Sequence, residues 1–232
     1  DLAHKRLSLD TVTAAIVRLL DRAGLRVGND EYSARNGSYG LTTLRHRHAK
    51  LRGNRLMLHF KGKSQVEQQL DICDGSVARI ARRCQELPGQ RLFQFLDEEG
   101  RAHQVRSDHV NAYIHTICRK DFTAKDFRTW HASACAMALA LQSRNAAPPS
   151  VAHPPLDAAE AVKQVARRLG NSCAVCRRFY IHPEVLKLFQ QDMPAMPPSP
   201  LKPRKELSTE ERALLQLLEC RSMAIEPTSR HG

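Results

Sequence analysis

Apolar residues at positions 12, 15, 16, 19 and 20 recur at helical spacing through residues 9–23, and Gly24 follows as a natural stop. The spacing predicts an opening amphipathic helix that runs directly into Arg26. Gly28, Asn29, Asn36, Gly37 and Gly40 crowd the next stretch and predict a loop with several unusual backbone turns. From residue 41 the pattern changes to short β-prone runs, 41–47, 55–60 and 66–72. The turn formers Arg52-Gly53-Asn54 and Lys61-Gly62-Lys63-Ser64 separate them, so a small three-stranded antiparallel meander is expected. Beyond it the periodicity is helical at 75–86, 107–117, 124–142, 156–169, 172–180 and 208–220. Thr123 and Asp126 form a capping-box pattern at the start of the third of these helices, and Gly170 closes the fourth. Pro-rich stretches at 146–155 and 193–203 cannot continue helices and read as a surface loop and a linker. The expected class is mainly α with a small three-stranded antiparallel sheet (α+β). The expected domains are a main body over 1–192, a linker at 193–206 and a C-terminal helix and tail at 207–232.

Composition narrows the partner. The 232 residues are 42% hydrophobic, enough to bury a core without staples. Lys and Arg number 36 against 24 Asp and Glu, a formal charge of +12, which points to a polyanion, nucleic acid ahead of an anionic membrane surface. No apolar run approaches the roughly 20 residues needed to span a bilayer, and the N-terminus lacks a signal-peptide core, so a soluble intracellular protein is expected. The seven Cys residues lack the spacing of a secreted disulfide framework and fit a reducing compartment. Cys173 and Cys176 make one CxxC, but a closed zinc site needs four ligands and no second pair lies at finger-like distance. The two thiols read as packing residues one helical turn apart, and neither metal nor cofactor is expected. The chain opens at Asp1 and enters at once an amphipathic run, so a further N-terminal segment is expected.

The charge is concentrated. Between residues 41 and 63 stand seven basic residues, Arg45, Arg47, Lys50, Arg52, Arg55, Lys61 and Lys63, and no acid. A solvated strand face usually alternates signs, so this one should face phosphates. His46 and His48 alternate with Arg45 and Arg47, so if the arginines face outward the histidines should be core residues. Cutting DNA without a metal needs a nucleophile, positive groups around the non-bridging oxygens and an acid for the leaving oxygen. A tyrosine can attack if nearby cations help its phenol lose a proton, and Arg suits oxyanions because its planar fork is always charged. Taken singly such residues are weak signals, since a Tyr is more often an amphipathic packing residue.

The order of local motifs is more specific. Gly24-Leu25-Arg26-Val27-Gly28-Asn29-Asp30-Glu31-Tyr32, with Gly37-Ser38-Tyr39-Gly40-Leu41-Thr42-Thr43-Leu44, resembles the first-arginine motif of poxvirus and bacterial type IB DNA topoisomerases. Phe60-Lys61-Gly62-Lys63-Ser64 resembles the family's hairpin lysine, and Phe122-Thr123-Ala124-Lys125-Asp126-Phe127-Arg128-Thr129-Trp130 its second-arginine helix. The run from Leu169-Gly170-Asn171 through Arg177-Arg178-Phe179-Tyr180 to Pro183 resembles its nucleophile segment, and the likeness covers residues 9–185 in unbroken order. The resemblance implies the tyrosine recombinase/topoisomerase IB catalytic-domain fold. It also implies a monomeric, cytoplasmic, nucleoid-associated enzyme that relaxes supercoiled duplex DNA through a 3′-phosphotyrosyl intermediate, without ATP or metal. Tyr180 becomes the nucleophile, Arg26 and Arg128 the phosphate clamp, and Lys63 the general acid. Asn171 takes the fifth position, where viral members carry His, and its neutral amide should contribute less than a cation. His131-Ala132-Ser133 departs from the small-residue run expected after Trp130 and should support the site from behind. Tyr32, Arg35, Arg45, Arg47, Lys50, Lys125, Arg177 and Arg178 are candidates for contacting DNA, and the missing N-terminal part is expected to be a DNA-clamp domain.

A site-specific tyrosine recombinase uses the same chemistry and the same residue order. Recombinases usually carry His shortly before the second Arg and His after the Leu-Gly pair, where this chain has Lys125 and Asn171. A non-enzymatic basic DNA-binding module would explain the charge but not the motif order. Should Tyr180 prove not to be the nucleophile, Tyr113, in a helix with basic neighbours, comes next.

Overall fold

The computed structural model describes residues 1–3, 6–145, 156–190 and 206–225. The Pro-rich stretches at 146–155 and 193–203 and the tail after 225 lie outside the described residues. Two compact units, Asp1–Arg128 and Thr129–Gly232, divide the chain within one long helix.

In the first unit, helix α1 (Leu9–Ala23) starts at Ser8, whose hydroxyl accepts from the Thr11 N–H at 3.3 Å. It stops at Gly24, left-handed at φ 57°. The predicted stripe of Val12, Ala15, Ile16, Leu19 and Leu20 is completely buried. It packs against α3 (Gly75–Gln85) and α4 (Ser107–Cys118). The antiparallel sheet runs β1 (Ala49–Arg52), β2 (Arg55–Lys61), β3 (Glu67–Cys73), with Leu51 opposite Leu56 and Leu58 opposite Leu70. Leu56, Leu58 and Phe60 alternate onto its buried face, each burial contributing about 2 kcal/mol.

Three local readings are corrected. Residues 41–47 are not a strand: Leu41–Thr43 and His46–His48 are single 3-10 turns, and the sheet starts only at Ala49. Leu41, Thr42, Thr43 and Leu44 are all buried, which excludes the one-sided alternation of an edge strand. Residues 30–36 form a helix, α2 (Asp30–Asn36), which Asn29 caps by accepting from Tyr32 N–H at 3.1 Å and Gly37 ends at φ 57°. The residues that suggested a loop are the helix's own caps, and α2 buries no side chain, so no apolar period marks it. A second hairpin, β4 (Gln94–Leu96) with β5 (Ala102–Gln104), turns through Gly100 at φ 79°. Three-residue strands are too short to show a period.

Helix α5 (Ala124–Asn145) gives its first turn to the first unit and the rest to the second. The Thr123–Asp126 capping pattern forms, with Asp126 accepting from the Thr123 backbone N–H at 2.8 Å and from its hydroxyl at 2.9 Å. In the second unit, α5 shares a core with α6 (Ala158–Leu169), α8 (Pro183–Lys187) and α9 (Thr209–Ile225). Ala132, Met137, Val165, Val185 and Leu214 are fully buried there. A polar latch joins α9 to α5: Trp130 Nε1 donates to Glu211 Oε1 at 2.7 Å, while Glu211 Oε2 accepts from Ser208 N–H at 2.8 Å. The expected helix at 172–180 forms as one short α turn, α7 (Cys173–Val175), that widens into a π turn over Cys176–Tyr180.

Candidate active site

In the first unit the chain leaves α1 at Gly24 and passes at once through Arg26, which is half-buried. This segment is bound along its backbone to the stretch after α2. Leu41 N–H donates to Arg26 O at 3.0 Å, Thr42 N–H to Val27 O at 2.7 Å, and Thr42 Oγ1 to Val27 O at 3.0 Å. Two glycines permit this approach. A Cβ on Gly40 would lie 2.5 Å from Gly28 Cα and 2.8 Å from Arg26 O, while Gly28 itself sits at φ 110°. The motif glycines therefore hold the backbone of Arg26 against that of residues 40–42.

The same stretch reaches the lysine hairpin. Tyr39 N–H donates to Lys61 O at 2.8 Å, and Gln65 Nε2 donates to Asn36 O and to Ser38 Oγ. Lys63 is exposed in the turn between β2 and β3. Gly62 N–H donates to Val66 O at 2.8 Å to close this turn, and Ser64 and Gln65 both adopt left-handed backbone, φ 60° and 61°. Two successive non-glycine residues in that region store strain of order 1–2 kcal/mol each. Arg128, 4% exposed, donates from Nη1 to Gly24 O, two residues before Arg26. The segments carrying Arg26, Lys63 and Arg128 are thus linked within one unit by hydrogen bonds through residues 24–28 and 36–42.

In the second unit Gly170, left-handed at φ 60°, ends α6, and Asn171 N–H donates to Ala166 O at 2.9 Å, the closing bond of a Schellman cap. Asn171 leads through Ser172, the cap of α7, into the π turn that ends at Tyr180. Ile181 N–H closes that turn by donating to Cys176 O at 2.9 Å. Cys176 is buried and Cys173 exposed, so only the first fits the packing role expected of the pair. Tyr180 is half-buried against the second unit's core. Tyr113 is a poorer nucleophile: its hydroxyl donates to Asp1 Oδ2 at 2.7 Å, and burial, then Asp10, push its pKa up.

The remaining candidates differ in how committed they are. Tyr32 is 54% exposed on α2, and Lys50 on β1 and Lys125 on α5 are exposed. Arg35 pairs with Glu31 at 3.1 Å on the surface of α2. Arg45 donates to Gln90 Oε1 at 2.9 Å and lies 5.9 Å from the Tyr39 ring centre, while Arg47 donates to Tyr39 Oη at 3.3 Å. Arg177 and Arg178 are exposed in the π turn, Arg178 lying 5.1 Å over the Phe179 ring. Tyr39, quoted in the motif but given no role, is the hub of the Arg45–Arg47 group. His48 packs edge-on against it at 4.4 Å and accepts from Arg45 N–H at 3.0 Å. His46 and His48 are half-buried, as expected in direction, although a 3-10 turn and not a strand places them. Burial first, then Arg47, Arg45 and His59, hold the His48 pKa down at about 4, which keeps its ring neutral and able to accept. Among the described residues no group of three or more His, Cys, Asp or Glu could hold a metal ion, and no helix is long and apolar enough to cross a membrane.

Comparisons with known proteins bear on this arrangement. The family profile described as "Eukaryotic DNA topoisomerase I, catalytic core" matches residues 1–199. The DNA topoisomerase 1B of Acanthamoeba polyphaga mimivirus is 31% identical over 186 residues, which make up 78% of this chain and 55% of the viral protein. The chain therefore spans about half the length of that relative. A crystal structure of XerH site-specific recombinase bound to its difH substrate, a pre-cleavage complex, matches with a TM-score of 0.43 at 13% identity, covering 77% of this chain and 46% of that one. The profile takes in the segments of Arg26, Lys63, Arg128, Asn171 and Tyr180, and with the viral relative it establishes that the chain belongs to the type IB DNA topoisomerase family, as a catalytic core.

Proposed function

We propose that this chain breaks and rejoins one strand of duplex DNA through a transient 3′-phosphotyrosyl bond at Tyr180, relaxing supercoils without ATP or a metal. The Tyr180 phenol releases its proton to water and its Oη attacks phosphorus, a P–O bond to the tyrosine forms, the bond to the 5′ oxygen breaks, and Lys63 gives that oxygen its proton. Rejoining is the reverse: the 5′ hydroxyl attacks, its proton returns to Lys63, and the phenolate leaves. Because the tyrosyl ester conserves the energy of the broken phosphodiester, no nucleotide need be consumed. Arg26 and Arg128 donate to the non-bridging oxygens, where charge develops, and Asn171 adds a neutral donor. Lys63 suits the acid role because an exposed lysine in a hairpin turn can follow a leaving oxygen, and Arg128 suits clamping because a buried guanidinium is already oriented.

The observation that carries this reading is the hydrogen-bond network of the first unit, which ties the Arg26, Lys63 and Arg128 segments together around residues 36–42. Duplex DNA is the substrate the +12 charge favours, and Tyr32, Arg35, Arg45, Arg47, Lys50, Lys125, Arg177 and Arg178 are proposed to track its backbone. The test has two arms. End-labelled duplex DNA incubated with the protein and then denatured should run as a covalent adduct with wild type and not with Tyr180→Phe. A plasmid lacking any recombination site should be relaxed in EDTA. Adduct from Tyr180→Phe would move the nucleophile elsewhere, adduct without relaxation would favour a recombinase, and loss of relaxation in EDTA would contradict the metal-free chemistry.

A further inference from the structure

We propose that Ser133 is a positioning residue for the nucleophile: its buried hydroxyl clips the backbone on both sides of Ile181 and thereby sets where Tyr180 stands. The inference rests on Tyr180 being the nucleophile. Ser133 lies on α5 and is 3% exposed. Its Oγ donates to Tyr180 O at 3.2 Å and accepts from His182 N–H at 3.0 Å. A hydroxyl is the smallest side-chain group able to donate and accept at once, so one atom bridges two peptide groups that flank a single residue.

The location of the clip matters. The chain leaves the π turn at Ile181, in extended backbone at φ −87° and ψ 127°, and α8 starts with Pro183, which has no N–H. The regular helical ladder ends here, directly after Tyr180. On the upstream side the Ile181 N–H to Cys176 O bond holds the turn closed, and downstream Ile181 and Val185 are buried as apolar anchors, 3% and 0% exposed. Ser133 supplies the polar connection between these two fixings. It ties the Tyr180 backbone to α5 within the second unit, so displacement of the serine acts on the attacking oxygen and not on the leaving one.

Single-turnover adduct formation at saturating protein tests this. Ser133→Ala should cleave roughly 10- to 100-fold more slowly at saturation, with DNA affinity and the final amount of adduct unchanged, because loss of the clip misplaces the nucleophile by a fraction of an ångström. Ser133→Thr keeps the hydroxyl and should cleave within about threefold of wild type. A substrate with sulfur at the 5′ bridging position relieves only a defect in leaving-group protonation, so it should not rescue Ser133→Ala. A wild-type rate in folded Ser133→Ala, or rescue of its defect by the sulfur substrate, would each overturn the proposal. If Ser133→Ala does not fold, Ser133→Cys, a weaker donor and acceptor, takes its place: slower cleavage with normal affinity supports the clip, and a wild-type rate overturns it. Adduct formation by Tyr180→Phe in the same assay would instead remove the nucleophile reading on which the clip depends.

Discussion

Replacing Gly40 by alanine should lower stability and catalysis together. The φ of −135° at Gly40 suits any residue, so the objection to a side chain is purely steric. The new methyl would sit 2.5 Å from Gly28 Cα, 2.6 Å from Gly28 N and 2.8 Å from Arg26 O, and all three are backbone atoms that cannot rotate away. Ordinary contact begins near 3.4 Å, so the two strands of chain must separate by about 1 Å. That separation takes the Leu41 to Arg26 and Thr42 to Val27 hydrogen bonds, now 3.0 and 2.7 Å, out of or to the edge of bonding range. Two weakened bonds at about 1 kcal/mol each, with overpacking of 1–2 kcal/mol, give a loss of roughly 3–4 kcal/mol. Arg26 moves with its carbonyl, and a displacement of about 1 Å in a phosphate clamp is worth on the order of 10²-fold in rate. Urea unfolding and single-turnover adduct formation read the two effects. Gly53→Ala is the control: at φ 53° with nothing within 4 Å it should cost about 1–2 kcal/mol of backbone strain and leave cleavage alone. Cleavage by Gly40→Ala within a few-fold of wild type, or equal damage from Gly53→Ala, would refute the steric coupling of Gly40 to Arg26.

Lys63→Ala should be slowed roughly 10²- to 10⁴-fold on ordinary DNA and largely restored on the 5′-sulfur substrate, because a thiolate leaves without a proton. Arg128→Ala should show no such recovery, and equal defects on both substrates would take the acid role from Lys63. Binding to duplex DNA should weaken steeply with salt, log K falling against log salt with a slope near −4 to −5 if about five phosphates are contacted; a flat response measured by fluorescence anisotropy would mean that the basic residues are not on the DNA. The half-buried, neutral state of His48 makes stability pH-dependent. Its folded pKa of about 4 lies below the ordinary 6.5, so the unfolded chain takes up protons first and stability should fall as pH drops from 6.5 toward 4. The urea midpoint of His48→Phe should fall less over that range, and parallel curves for the two proteins would remove His48 as the cause.

Helices with a buried stripe were legible from the chain alone: Val12, Ile16 and Leu19 announce α1, and Gly24 and Gly170 mark helix ends with the left-handed backbone they adopt. Elements without such a stripe were not. Helix α2 buries nothing, so its caps Asn29 and Gly37 looked like a loop, and the buried run from Leu41 to Leu44 looked like a strand because β-branched and apolar residues suit both a strand and a tight buried turn. In the site, ordered motifs pointed to Arg26, Lys63, Arg128, Asn171 and Tyr180 as candidates. Gly28 and Gly40 signalled only a loop with unusual backbone turns, and their close approach follows from the pairing of residues 26–27 with 41–42. Ser133 stood only within the 131–133 run expected to support the site from behind, and its bridging role depends on partners at residues 180 and 182 that the sequence does not pair with it. The left-handed turn at Ser64 and Gln65 was equally silent, as neither residue type asks for that backbone.

The Trp130–Glu211 latch also bears on where the protein can be trimmed. Helix α9 lies beyond residue 199, where the family profile ends, yet Ala213, Leu214 and Leu217 are 1%, 0% and 7% exposed in the same core as Val165 and Val185. A version cut to the profile would leave this core without its cover and Trp130 without its acceptor. Such an uncovered apolar patch is adhesive in water, so the shortened protein should self-associate and precipitate on expression while the longer one stays dispersed. The stretch that closes this core is thus longer than the stretch the family profile matches.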